Sequence, residues 1–227
     1  LDTASLVEIR RWNRQRVIDG VTTNPSILYA AGFHDLKQAA CQIAAEIPGM
    51  PLSVEVTSDE PEEMIRQGRE YAGWAPHIVV KVPVLNSRGE PCLEAIHELE
   101  SREIAVNCTA ILSFGQAMLA AKAGASYLSI FAGRIADEGH DPAPVIAGVR
   151  QWLDAWNQRA QIIVGSIRQP YDVQQAALAG AHVVTVPPPL LAKLADHKYS
   201  RATAAEFLDH ARRSEAARAN VEKEVER

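Results

Sequence analysis

Three cysteines, Cys41, Cys92 and Cys108, are all that this chain of 227 residues contains. They are odd in number and far apart, so neither a disulfide framework nor a cysteine-based metal site is expected, and a reducing, cytoplasmic compartment fits. No apolar run nears the roughly 20 residues of a membrane span. The opening residues carry no signal-peptide pattern. The first residue is Leu1 and not Met, so some native sequence is expected to precede it, and a removed targeting segment stays open. A charge excess of either sign is also missing. With 23 Lys and Arg against 28 Asp and Glu, the net charge of -5 gives no reason to expect nucleic acid or an anionic membrane as partner. Low-complexity stretches and linkers are lacking too, so residues 1–227 read as a single domain, with 47% hydrophobic residues to build one large core.

Histidines do not form a metal-binding group. His77 and His182 begin predicted strands, His34 and His140 fall in loops, and His97, His197 and His210 lie in helical stretches. No metal and no cofactor is expected.

Turning to what is present, eight short strands can be read in order: Leu1–Thr3, Gly20–Thr23, Leu52–Val56, Ile78–Pro83, Ile104–Cys108, Tyr127–Phe131, Gln161–Gly165 and His182–Val186. Helical patterns lie between them, among them Leu6–Arg10, Pro61–Tyr71, Ser113–Ala123 and Val173–Ala179. Strands alternating with helices imply βαβ units and a parallel sheet. Eight units at roughly 30 residues each fit an α/β (β/α)8 TIM barrel. A doubly wound open sheet is the competitor, but Asp2-Thr3-Ala4-Ser5 is not the glycine-rich phosphate fingerprint expected after its first strand. From about residue 200 to 227 the tail reads as an extra C-terminal helix, with Ala204, Phe207, Leu208 and Ala211 as a modest apolar stripe and Arg212-Arg213 on a solvated face.

Within the apolar strand His77 to Val84 stands one lysine, Lys81. Burial there disfavours the ammonium and favours the neutral amine, a nucleophile for carbonyls. The plain alternative is an ammonium paired with a carboxylate inside the fold. In a barrel, chemistry gathers at the C-terminal ends of the strands. Polar groups stand at nearly every predicted strand end here: Asp2, Asn24, Glu55, Lys81, Asn107 with Thr109, Ser129, and Ser166 with Arg168. Strand alternation puts Asn107 and Thr109 on one face, and Ser166 and Arg168 on one face if that strand runs on. If Lys81 points inward, Val80 and Val82 point out against the helices.

Gly20-Val21-Thr22-Thr23-Asn24-Pro25-Ser26, the strand Val80-Lys81-Val82-Pro83 and Ala132-Gly133-Arg134-Ile135 resemble the transaldolase and fructose-6-phosphate aldolase family. The resemblance runs over essentially the whole chain. It implies a barrel whose fourth strand carries a Schiff-base lysine, which is Lys81. It also implies roles for the other residues. Asp2 would exchange the proton of the C4 hydroxyl of a ketose, and Glu55 and Thr109 would hold and activate a water. Asn24, Asn107 and Ser129 would bond the dihydroxyacetone fragment. Arg134, Ser166 and Arg168 would clamp the terminal phosphate, a dianion suited to forked guanidinium donors. Outside that role, Arg134 would be a surface ion pair and Arg168 a solvated loop residue.

Lyase-type members resemble this pattern with glutamine in place of Glu55 and tyrosine in place of Phe131, so the resemblance implies the transferase type. That means a transaldolase acting on sugar phosphates, as in the pentose phosphate pathway. The departures are Cys108 and the insertion-like segment Leu85–Pro91, which is expected on the active-site rim and would bear on donor and acceptor identity. The family further implies a homo-oligomer built through the C-terminal helix, a ring-like assembly such as a decamer. Three alternatives stay open: a lyase releasing dihydroxyacetone, a transaldolase for an unusual (for example sulfonated) sugar, and a non-catalytic sugar-phosphate binder.

Overall fold

The computed structural model describes residues 1–225, with side-chain surroundings through residue 222, so residues 226 and 227 of the predicted tail helix lie outside the described residues. Seven parallel strands pair in chain order: β1 (Val21–Thr22), β2 (Leu52–Glu55), β3 (Ile78–Pro83), β4 (Val106–Ile111), β5 (Tyr127–Phe131), β6 (Gln161–Gly165) and β7 (Val183–Val184). The helices between them are α1 (Leu6–Arg14), α2 (Pro25–Ala30), α3 (Leu36–Glu46), α4 (Pro61–Ala72), α5 (Leu93–Glu100), α6 (Phe114–Lys122), α7 (Ala132–Asp137), α8 (Ala143–Ala155) and α9 (Pro170–Leu178). After β7 come α10 (Pro188–Ala195) and the 28-residue α11 (Lys198–Val225). The described residues form two compact units, one of Leu1–Leu190 and one from Leu191 onward.

The first unit is an α/β barrel of the (β/α)8 kind. Leu1–Thr3 is reduced from a predicted strand to a single bridge, Asp2 beside Thr22. Short as it is, it is paired on both sides. Thr3 N–H donates to Thr22 O and Thr22 N–H to Leu1 O, while Asp2 N–H donates to Val186 O at 3.0 Å. The segment therefore closes the ring between β1 and the end of β7, and Lys81 stands on the fourth stave. β4 begins at Val106 and not at Ile104, because the Ile104 amide is taken by the carbonyl of Leu99 at the end of α5, with Glu103 in the left-handed region (φ 62°). It runs on to Ile111 through a register shift at Ala110 (φ 59°).

Valine and isoleucine dominate the strands, as suits staves buried on both faces. Val80 and Val82 are fully buried on the outer face, where α4 lies so close that a Cβ on Gly68 would sit 2.8 Å from Leu99 and 3.2 Å from Val80. With β3 seated this way, the period-2 pleat turns Lys81 into the barrel. Burial pushes the thiol of Cys92 up to about 11 and that of Cys108 higher still. Both are inert packing groups, so Cys108 between Asn107 and Thr109 adds no nucleophile.

Leu85–Pro91 folds into a small hairpin closed by the Leu85–Pro91 bridge and the Asn86 N–H to Glu90 O bond. It is fastened to the loop before α4. Ser87 N–H donates to Asp59 at 2.8 Å, and the Arg88 guanidinium meets Asp59, Glu60 and Glu90.

Candidate active site

A cavity of about 490 Å³ opens at the C-terminal ends of the strands, a size suited to a small metabolite. All the predicted site residues line it except Thr109, and Ser26, Ile27, Thr22 and Thr185 join them. No residue of Leu85–Pro91 does, so that hairpin does not shape the cavity wall, contrary to expectation. Its charges are engaged with the β2–α4 loop instead.

Lys81 is buried, its side chain 6% exposed, and it is not isolated among apolar groups. Its ammonium donates to the Thr23 carbonyl at 2.9 Å and lies 3.0 Å from Glu55 Oε2. The neighbouring strands set this pairing, since Glu55 stands opposite Lys81 in the β2–β3 register. The carbonyl is available because Thr23 follows β1, its own amide and hydroxyl both bonding to Ser53 O. One ammonium proton is thus given to the Thr23 carbonyl, and Nζ also faces Glu55, itself on the cavity wall.

Asn107 stands beside Lys81 in the β3–β4 register and is buried. Its Oδ1 accepts from Ser129 Oγ at 2.7 Å and its Nδ2 donates to Ser53 Oγ at 3.2 Å. Those bonds fix the amide so that a second N–H is left for a ligand. Asn24 is fixed differently. It caps α2, its Oδ1 accepting the Ile27 amide at 2.9 Å, with Pro25 at the first helical position. Its NH2 group is therefore turned to use elsewhere. Thr109 Oγ1 is buried and finds no partner among the described residues. A buried hydroxyl in that condition calls for a ligand or water.

Asp2 accepts a hydrogen bond from Thr22 Oγ1 at 2.7 Å. Burial raises its pKa, and the Thr22 bond and the Lys81 ammonium act against that rise. A carboxylate held above its ordinary range accepts a proton more readily than a free aspartate.

Arg134 and Arg168 are exposed and the Ser166 hydroxyl lies near them. Arg134 belongs to α7 and forms no ion pair among the described residues, whereas Arg168 pairs with Asp137 at 3.1 Å. Strand alternation does not carry Ser166 and Arg168, because β6 stops at Gly165 and Ser166 turns into the left-handed region (φ 60°). The turn is held by Asp172, whose carboxylate accepts the amides of Arg168 and Gln169 at 2.9 and 3.0 Å. It also rests on Gly133, where a Cβ would come within 2.0 Å of Ser166 O and 2.7 Å of Arg168 Nε. Glycine at 133 is what lets the two arginine-bearing segments meet.

Across residues 1–227 the chain matches the family model described as Transaldolase/Fructose-6-phosphate aldolase. It belongs to that family. Relatives agree. A "Probable transaldolase" of Herpetosiphon aurantiacus is 43% identical over 197 residues, covering 87% of this chain and 86% of the relative. One of Dehalococcoides mccartyi, named in the same words, is 38% identical over 208 residues, 92% of this chain and 94% of the relative. The "Probable transaldolase 2" of Listeria monocytogenes is 41% identical over 199 residues, 87% and 88% of the two chains. Among solved structures, a mandelate oxidase mutant with a monooxide FMN adduct aligns with a TM-score of 0.56 at 16% identity, over 81% of this chain and 59% of that one. This chain thus spans about three fifths of that longer protein, and the likeness is one of fold alone.

For this family member, sequence reasoning missed Ser53, Thr22, Thr185 and Gly133. Thr22 lies inside the quoted Thr-Thr-Asn-Pro string, and alternation along β2 already sets Ser53 on the face of Glu55. Gly133 lies inside the quoted Ala132-Gly133-Arg134-Ile135 string, whereas Thr185 had no local signal. Their importance rests on neighbours far away in the chain. No helix among the described residues is long and apolar enough to cross a membrane, and none of their His, Cys, Asp and Glu side chains form a group that could hold a metal ion.

Proposed function

We propose that this chain is a transaldolase that moves a dihydroxyacetone unit from a ketose phosphate to an aldose phosphate through an imine on Lys81. The observation that carries the reading is the Lys81 ammonium, paired with Glu55 at 3.0 Å and opening on a cavity with Asp2 and two arginines on its wall.

The amine of Lys81, once its proton has passed to Glu55, attacks the C2 carbonyl. A water held by Glu55 and the unpartnered hydroxyl of Thr109 carries the protons of carbinolamine dehydration. The iminium then acts as an electron sink. Asp2 takes the C4 hydroxyl proton, the C3–C4 bond breaks, its electrons form the enamine, and an aldehyde leaves. Asn24, Asn107 and Ser129 hold the two hydroxyls, on C1 and C3, of the three-carbon unit that stays. An acceptor aldehyde enters, Asp2 returns the proton as the new bond forms, and water hydrolyses the imine. Arg134, Ser166 and Arg168 bind the terminal anion, phosphate in this reading and a sulfonate in a specialised one.

Phe131 and Glu55 favour transfer over release, because freeing dihydroxyacetone needs protonation of the enamine carbon and Phe131 offers no hydroxyl for it. We read the exposed Phe207 and Leu208 of α11 as a contact between copies in a homo-oligomer, and the three free cysteines as suiting the cytoplasm. The deciding experiment supplies fructose 6-phosphate with and without an aldose phosphate acceptor. Fast turnover only with acceptor is expected. Dihydroxyacetone released equally fast without acceptor would replace this reading with a lyase.

A further inference from the structure

Two threonine hydroxyls behind Asp2 take part in none of the steps above. Thr22 Oγ1 donates to Asp2 Oδ1 at 2.7 Å and lies 2.5 Å from Thr185 Oγ1. A hydroxyl carries one proton, and an ionised carboxylate only accepts. With the Thr22 proton on Asp2, Thr22 must accept in its second contact and Thr185 must donate. The three groups form a chain with one direction while Asp2 is ionised, from Thr185 to Thr22 to Asp2. Thr185 is buried yet lines the cavity. Its own proton is already donated, so it meets a ligand with lone pairs only. On the rim it follows β7, between the turn after β6 that bears Arg168 and the Asp2 segment bonded to Val186.

We infer that Thr22 and Thr185 are positioning residues for Asp2: Thr22, oriented by Thr185, occupies Oδ1, which leaves Oδ2 to take the substrate proton, and Thr185 accepts from the sugar hydroxyl on the carbon between the cleaved bond and the terminal anion. The inference rests on the proposed reaction and names its substrate more narrowly, as a donor hydroxylated at that carbon (C5 of a hexose). Hydrogen bonds in series polarise one another, so loss of the outer one weakens the bond on the carboxylate. The charged group facing Asp2 is the Lys81 ammonium, with Glu55 beyond Lys81 and Arg134 and Arg168 on the same cavity wall. A change at Thr185 alters none of these charges.

The test compares the unmodified protein with Thr185→Val, Thr185→Ser and Thr22→Val by the pH dependence of kcat/KM with fructose 6-phosphate and acceptor, alongside borohydride trapping. Fewer donors on the carboxylate raise its pKa, so the acid limb moves to higher pH. Thr185→Val is expected to lower kcat/KM about 3- to 10-fold with that shift, and Thr22→Val about 10- to 100-fold. Thr185→Ser should restore both rate and limb. With 5-deoxyfructose 6-phosphate, the unmodified protein and Thr185→Val should differ only by the limb shift. An unmoved limb in Thr185→Val, or Thr185→Ser as poor as Thr185→Val, overturns the inference and leaves a packing role. If the unmodified protein traps no ketose, the reaction itself is wrong and the chain has no base to serve. If it traps while the limb stays fixed, only the chain fails.

Discussion

The two sides of the cavity are built differently. Glu55, Lys81, Asn107 and Ser129 stand on four successive strands, and their polar atoms bond one another or Thr23 and Ser53. Arg134, Ser166 and Arg168 stand instead on α7 and on the turn after β6, where both guanidiniums are exposed. Groups fixed by strand register suit bond making, which tolerates little misplacement. Exposed guanidiniums suit capture of an anion from solvent. Damage to the strand side should therefore appear in kcat, and damage to the turn side in KM.

The largest effect should come from Lys81→Met. Without the amine the covalent route is gone, and activity should fall by about 10⁴-fold or more. Steady-state transfer with a coupled assay measures it. A variant that keeps a tenth of the rate would break the contrast at its root.

Next is Asp2→Asn, expected to lower kcat by about 10²- to 10⁴-fold. It should also raise thermal stability at neutral pH. The pKa of Asp2 is raised by burial, so the folded state favours its protonated form. The stability that this group supplies is full below the ordinary aspartate value and is lost as pH rises through the raised one. Asparagine mimics the protonated form and avoids that loss. Melting curves across pH should show the advantage at neutrality fading in acid, and a variant less stable than the parent at neutral pH would contradict it.

On the other side, Arg134→Ala or Arg168→Ala should raise KM for phosphorylated donors about 10- to 100-fold, as for a charge-assisted bond of about 1.5–3 kcal/mol, with kcat little changed. Unphosphorylated donors should be nearly unaffected. Equal losses for both kinds of donor would make the arginines structural and erase the division. The smallest effect is Phe131→Tyr, which should increase release of free dihydroxyacetone a few-fold without acceptor. No increase would remove Phe131 from the account of transfer.

Much of the strand side is legible in the sequence, because it depends on local rules. Alternation along β3 places Lys81 opposite to Val80 and Val82, and β5 and β6 begin and end where their apolar runs do. The turn side is less so. Ser166 and Arg168 reach the cavity by a left-handed backbone, an Asp172 bond and the missing side chain of Gly133, none of which alternation foresees. The ion pair of Lys81 with Glu55 needed the register of two strands. The hairpin Leu85–Pro91 follows β3 on the rim, yet it is bonded to Asp59 and Glu60 of the neighbouring β2–α4 loop and none of its residues lines the cavity.

The central claim is that Lys81 is the nucleophile. Borohydride reduction with fructose 6-phosphate, followed by peptide mass spectrometry, tests it most directly. The account predicts a ketose-derived mass addition on the peptide bearing Lys81, absent from Lys81→Met. An adduct on Lys122 or Lys193 instead, or no adduct with any ketose, would contradict it.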